Sequence, residues 1–124
     1  VSVSNGRITG VMDGVTYNFG ITSVNMYKAT FALGTGFSGV EISSDNDVVY
    51  MAKGDEVTLT LKKTNDDVFS SVPTAAEVDA DSTDSNTDAY DVTKVTGKNG
   101  DKSYTITITQ NEAVTSDNTV TLSK

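Results

Sequence analysis

The sequence predicts an all-β protein, an antiparallel two-sheet β-sandwich with one long acidic loop. Three observations carry that expectation. Thr, Val, Ser and Asp make up about half of the 124 residues, and branching at Cβ in Thr and Val favours the extended backbone. Apolar and polar residues alternate with period two along most of the chain, as in strands with one buried and one wet face. Turn signals built on Gly, Asn and Asp recur about every 8–12 residues, as they do in sandwiches and barrels.

The elements follow in order. Val1-Ser2-Val3-Ser4 alternates and Asn5-Gly6 turns it into Arg7–Val11. Asp13-Gly14 is a second tight turn of the kind that suits a type I′ hairpin. Val15, Tyr17, Phe19 and Ile21 then share one face, and Tyr27, Ala29, Phe31 and Leu33 repeat the pattern. Gly34, Gly36 and Gly39 interrupt it around Phe37, which is expected to be exposed. Val40 and Ile42 form a short strand, residues 43–47 a polar turn, and Val48–Met51 another strand. In Glu56–Lys62, Val57, Leu59 and Leu61 face one way, and Glu56, Thr58, Thr60 and Lys62 face the other.

Residues 64–91 differ. Val68, Phe69 and Val72 can reach the core, and Pro73 ends that segment. Thr74-Ala75-Ala76-Glu77 has capping-box spacing, which predicts a short helical turn. Asp79–Asp88 is acidic and nearly free of large apolar residues, so it is expected to be a long exposed loop. Tyr90–Val95 resumes a strand, and Lys98–Asp101 turns the chain. Tyr104, Ile106 and Ile108 alternate with Thr105, Thr107 and Thr109, and Val120 and Leu122 mark a last strand. One continuous domain over residues 1–124 is expected. A boundary near residues 40–45 is the alternative, but the residues before it would make a poor domain alone.

Two segments carry a resemblance. Met51–Leu61 contains Gly54-Asp55-Glu56-Val57-Thr58-Leu59-Thr60, and Ser103–Thr109 is followed by Ser116–Leu122. Together they resemble strands of the immunoglobulin-like modules found in S-layer and other surface proteins of Gram-positive bacteria. The resemblance covers about a third of the chain. It implies an immunoglobulin-like sandwich with a spacer, adhesive or assembly role, and it carries over no catalytic residue.

Composition excludes several chemistries. There is no Cys, no His and no Trp. Disulfide scaffolds, Cys/His zinc sites and Cys or His nucleophile–base pairs are therefore ruled out. A formal net charge of −8 disfavours binding to a nucleic-acid backbone. No stretch approaches the apolar length of a membrane span, so no direct membrane insertion is expected. The chain carries no Asn-x-Ser/Thr acceptor. It shows no signal peptide and does not begin with Met, which reads as a processed product or an excised segment.

The acidic stretch is the candidate site. Asp79, Asp81, Asp84, Asn86, Asp88 and Asp91 place oxygen donors within thirteen residues. Calcium takes six to eight oxygen ligands from flexible loops, so these six residues are a candidate calcium site. The spacing is not that of an EF-hand, and a solvated acidic loop is the competing reading. Asp45 with Asp47, and Asp66 with Asp67, are weaker sites of the same kind. No other cofactor is expected.

No enzyme is expected. The carboxylates sit in polar loops without the apolar pocket that would raise one pKa, and no Ser has a His to activate it. Lys53-Gly54-Asp55 and Asn99-Gly100-Asp101 look like adhesive tripeptides but read as hairpin turns.

Three roles follow. The first is a non-enzymatic structural module of an extracellular, cell-surface or virion-surface protein, whose partners are neighbouring domains. The second is a subunit of a polymeric assembly such as a pilus, an S-layer or a phage coat or tail. It would be joined through the terminal strands Val1–Ser4 and Thr119–Ser123 or another edge. The third is a calcium-dependent carbohydrate-binding module with a glycan partner, against which the absence of Trp argues.

Overall fold

The computed structural model describes residues 2–4, 7–9, 11–12, 15–16 and 26–124. Among the described residues the strands are, in order, β1 Ser2–Ser4, β2 Arg7–Thr9, β3 Val11–Met12, β4 Val15–Thr16, β5 Tyr27–Leu33, β6 Val40–Ile42, β7 Val48–Met51, β8 Glu56–Lys63, β9 Asp79–Ser82, β10 Tyr90–Thr96, β11 Ser103–Gln110 and β12 Asn118–Ser123. A 3₁₀ turn at Ala75–Glu77 precedes β9. The expected capping contact is present there, as Glu77 Oε1 accepts from the Thr74 N–H at 2.9 Å. The first four strands form two small hairpins, β1–β2 and β3–β4, which flank Asn5-Gly6 and Asp13-Gly14. The strand expected through Tyr17, Phe19 and Ile21 lies outside the described residues.

The other eight strands form two four-stranded sheets, ordered β10-β11-β8-β6 and β7-β5-β12-β9. One core runs between them, with Leu59, Leu61, Ile106 and Ile108 from the first sheet and Phe31, Val120 and Leu122 from the second. The period-two pattern is realised as expected in β8 and β11, whose alternate residues are buried. Strands on both sides of residues 40–45 share a sheet, since β5 pairs with β7 and with β12.

Four expectations are corrected. First, the sheets are mostly but not wholly antiparallel. β12 runs parallel to β5, with Asn118 opposite Ala29 and Leu122 opposite Leu33. Alternation reports which face is buried and says nothing of a neighbour's direction. No hairpin constrains two strands so far apart in sequence.

Second, Asp79–Asp88 is not one long loop. Its first four residues form β9, which pairs antiparallel with β12. Ala80 and Ser82 are the buried alternate positions, and their small size hides the strand from a reading based on large apolar residues. Third, Phe37 is in the core at 3% exposure, with the Lys124 ammonium 5.2 Å from its ring centre. The glycine-rich turn folds the ring inward rather than presenting it. Fourth, Thr119–Ser123 is no open edge, because β12 is paired on both sides within the chain.

β10 also carries an irregularity. Its register with β11 shifts between Val92 and Lys94, leaving Thr93 as an extra residue in the manner of a bulge. The cause is legible locally: two polar residues, Thr93 and Lys94, separate Val92 from Val95. One extra residue lets both valines turn toward the core, where they are partly buried.

Candidate functional site

The candidate site is built where β9 leaves the mixed sheet and the chain turns towards β10. Ser82 and Asp84 both point inward there, and Asp84 is 4% exposed. The Asp84 carboxylate is saturated by donors. Its Oδ1 accepts from the Thr115 N–H at 3.0 Å, the Thr115 hydroxyl at 2.9 Å and the Ser116 hydroxyl at 3.3 Å. Its Oδ2 accepts from the Asn86 N–H at 3.0 Å. Two of these donors are backbone groups, one in the turn after β9 and one in the turn before β12, outside the strand ladders, so the carboxylate does for those turns what a strand partner does elsewhere.

The network continues inward. The Asp84 N–H donates to Ser82 Oγ at 3.0 Å, and Ser82 Oγ donates to Asn118 Oδ1 at 2.7 Å. Asn118 Nδ2 donates to Tyr90 Oη at 3.2 Å and to the Ser116 carbonyl at 3.1 Å. Ser82, Asn118 and Tyr90 are all buried. These bonds tie the turn after β9, the first residue of β10 and the turn before β12 into one cap over that end of the core.

The electrostatics follow from the geometry. The Asn86 and Thr115 N–H groups hold the Asp84 carboxyl down to about 2, outweighing the opposing effect of burial. Burial pushes the Tyr90 phenol up, with the nearby Asp84 charge adding to it, while the Asn118 bond works the other way.

The six candidate ligands are not brought together. Asp84 turns inward and is committed to its four donors. Asn86 Nδ2 donates to Glu112 Oε2 at 2.6 Å. Asp79, Asp81, Asp88 and Asp91 line an open groove of about 480 Å³ floored by Ala75, Ala76 and Val78. Asp91 also accepts a bond from Asn111. Among the described residues, no three acidic side chains converge as a metal would require. The reason is partly strand geometry: Asp79 and Asp81 lie on the outward face of β9, while Asp84 lies on the inward side. The weaker pairs sit in other turns. Asp45 and Asp47 flank a turn whose Asn46 side chain bonds the Thr58 carbonyl, and Asp66 pairs with Lys62 at 3.3 Å.

The Thr115-Ser116-Asp117-Asn118 run escapes a reading based on acidic residues alone, yet it supplies half of the cap. Its sequence signal is four consecutive side chains able to bond backbone groups, just before a strand. Asp117 adds a further tie, accepting from the Lys28 N–H at 2.8 Å at the start of β5. The two tripeptides are turns, with Gly54 and Gly100 at positive φ of 95° and 94° and Asp55 and Asp101 accepting from Ala52 and Lys98. No protein-family model, no curated protein and no solved structure matches this chain.

Proposed function

We propose that the chain is a non-enzymatic structural module of a surface-exposed microbial protein, a spacer with an immunoglobulin-like arrangement of its two sheets that carries tension along its strands. The observation that carries this reading is the parallel pairing of β5 with β12. The chain enters the two-sheet unit at Tyr27 and its last strand ends at Ser123. Because the two strands run the same way side by side, these points lie at opposite ends of the sheet.

A pull applied between them loads the β5–β12 ladder in shear. Its backbone bonds are then stretched together rather than opened one at a time. The ladder is lengthened beyond the strands by Gly34 N–H to the Leu122 carbonyl at 2.7 Å and Lys124 N–H to the Thr35 carbonyl at 2.9 Å. The Asp84 cap adds ties at the other end. An acidic, Thr-rich surface with a net charge of −8 suits crowded copies that must stay apart in solvent.

Single-molecule pulling on the full chain tests this reading. The chain has no Cys, so Met26→Cys with Lys124→Cys gives two unique handles. Asp91→Cys with Thr109→Cys, a facing pair in the β10–β11 ladder, gives a geometry that unzips bonds singly. The spacer reading expects a rupture force several-fold higher in the first geometry. Equal or lower force there would sink it.

A further inference from the structure

Among the described residues, three of the four outer edges of the two sheets are protected and one is not. β9 carries Asp79 and Asp81, β10 carries Asp91, Lys94 and an irregular register, and β6 carries Glu41. Charges and bulges of this kind discourage pairing with another chain. β7 is Val48-Val49-Tyr50-Met51 and has neither. Tyr50 is 65% exposed and Val48 46%, and both lie on the outward face of the sheet.

The backbone of that edge is also open. The Phe31 N–H donates to the Asp47 carbonyl at 2.7 Å, and Ala29 faces Val49 as Tyr27 faces Met51. In an antiparallel ladder bonded pairs alternate, so residues 47, 49 and 51 turn their backbone groups towards β5. Val48 and Tyr50 therefore turn theirs away from it, and among the described residues no strand pairs with them.

We propose that β7 is a self-association edge, pairing antiparallel with β7 of a second copy of this chain. One register fits both the backbone and the side chains. With Val48 opposite Tyr50 of the second copy, the open N–H and C=O groups of both residues close four bonds around a two-fold axis at Val49. The same register sets each Val48 against a Tyr50 ring, a β-branched–aromatic cross-strand pair. Charge is self-complementary in this arrangement. Asp45 and Asp47 precede β7 and Lys53 follows it, so antiparallel pairing brings the acidic end of each strand to the lysine of the other. The product is one continuous eight-stranded sheet, symmetric and closed.

The contact is small, which makes it a weak and concentration-dependent dimer. It does not depend on whether the module carries tension. Sedimentation of the full chain from about 10 µM to about 1 mM spans the range where so small an interface dissociates. Growth of a dimer with concentration is expected, with loss of that dimer in Tyr50→Lys, whose substituted side chain is exposed and leaves the fold intact by circular dichroism. A monomer throughout overturns the proposal. So does a dimer that survives Tyr50→Lys, which would place the contact elsewhere, including residues 1–25.

The register has its own readout. Facing residues of a bonded antiparallel pair have Cα atoms about 5.5 Å apart, within disulfide reach, whereas diagonal neighbours are about 7–8 Å apart. Mixing the Val48→Cys and Tyr50→Cys proteins under mild oxidation should give the mixed disulfide in several-fold excess over either self-link. Self-links in equal amount, or no link at all, would overturn the assigned pairing.

Discussion

Asp84 and Thr115 are 31 positions apart in sequence and joined twice, since one carboxylate oxygen accepts both the Thr115 N–H and its hydroxyl. The same oxygen takes the Ser116 hydroxyl, and its partner oxygen takes the Asn86 N–H. A single buried charge thus fastens the turn after β9 to the turn before β12. In a chain without Cys, this carboxylate does the work of a noncovalent staple. It gives partners to two backbone N–H groups, those of Asn86 and Thr115.

Stability should therefore fall in acid through Asp84. Its carboxyl lies at about 2 in the folded chain, below its usual 3.8. A group depressed on folding contributes stability that is fully present above its unfolded value and lost as pH falls through the folded one. The window runs from just below pH 4 down to about 2. Urea titrations across that window should show Asp84→Asn less stable than the parent at neutral pH and less sensitive to acid. Asp81→Asn, on the outward face of β9, should stay within about 0.5 kcal/mol of the parent. Parallel pH profiles for the parent and Asp84→Asn would contradict this account.

Tyr104 is the opposite case, a buried polar group without a partner. Its hydroxyl finds no hydrogen bond among the described residues, while its ring packs edge-on to Phe69 with centres 4.7 Å apart. Burial pushes the phenol up to about 12. A group raised on folding contributes stability that is lost as pH climbs from its unfolded to its folded value, here from 10.0 to about 12. Tyr104→Phe keeps the ring contacts and removes the orphan. It should raise stability at neutral pH by up to about 1 kcal/mol and reduce the loss between those two values. A clear drop in neutral-pH stability would show that the hydroxyl is satisfied after all.

Much of the strand pattern was legible, because period-two burial leaves a direct trace in sequence. Val57, Leu59 and Leu61 and then Tyr104, Ile106 and Ile108 are buried as the alternation requires. What escaped is of two kinds. Relations between distant segments, such as the parallel β5–β12 pair, depend on topology that alternation does not encode. Inward positions filled by Ala80, Ser82 and Asp84 carry no hydrophobic signal, so an edge strand and a buried carboxylate both read as solvated loop. The donors that fix Asp84 come mainly from residues 115 and 116, a relation that the composition of residues 79–91 does not encode.

The same geometry bears on calcium. A cation at Asp84 would have to displace four donors that already occupy both carboxylate oxygens. Asp79, Asp81, Asp88 and Asp91 line an open groove, without the convergence of six to eight oxygens that tight calcium binding needs. Melting curves of the full chain in millimolar calcium and then in EDTA should therefore superimpose. The Asp79→Asn, Asp81→Asn double variant should melt with the parent in both conditions. A melting temperature that falls by several degrees in EDTA, and ceases to do so in the double variant, would place a cation in the groove. It would also require those side chains to swing together from the positions they hold on β9.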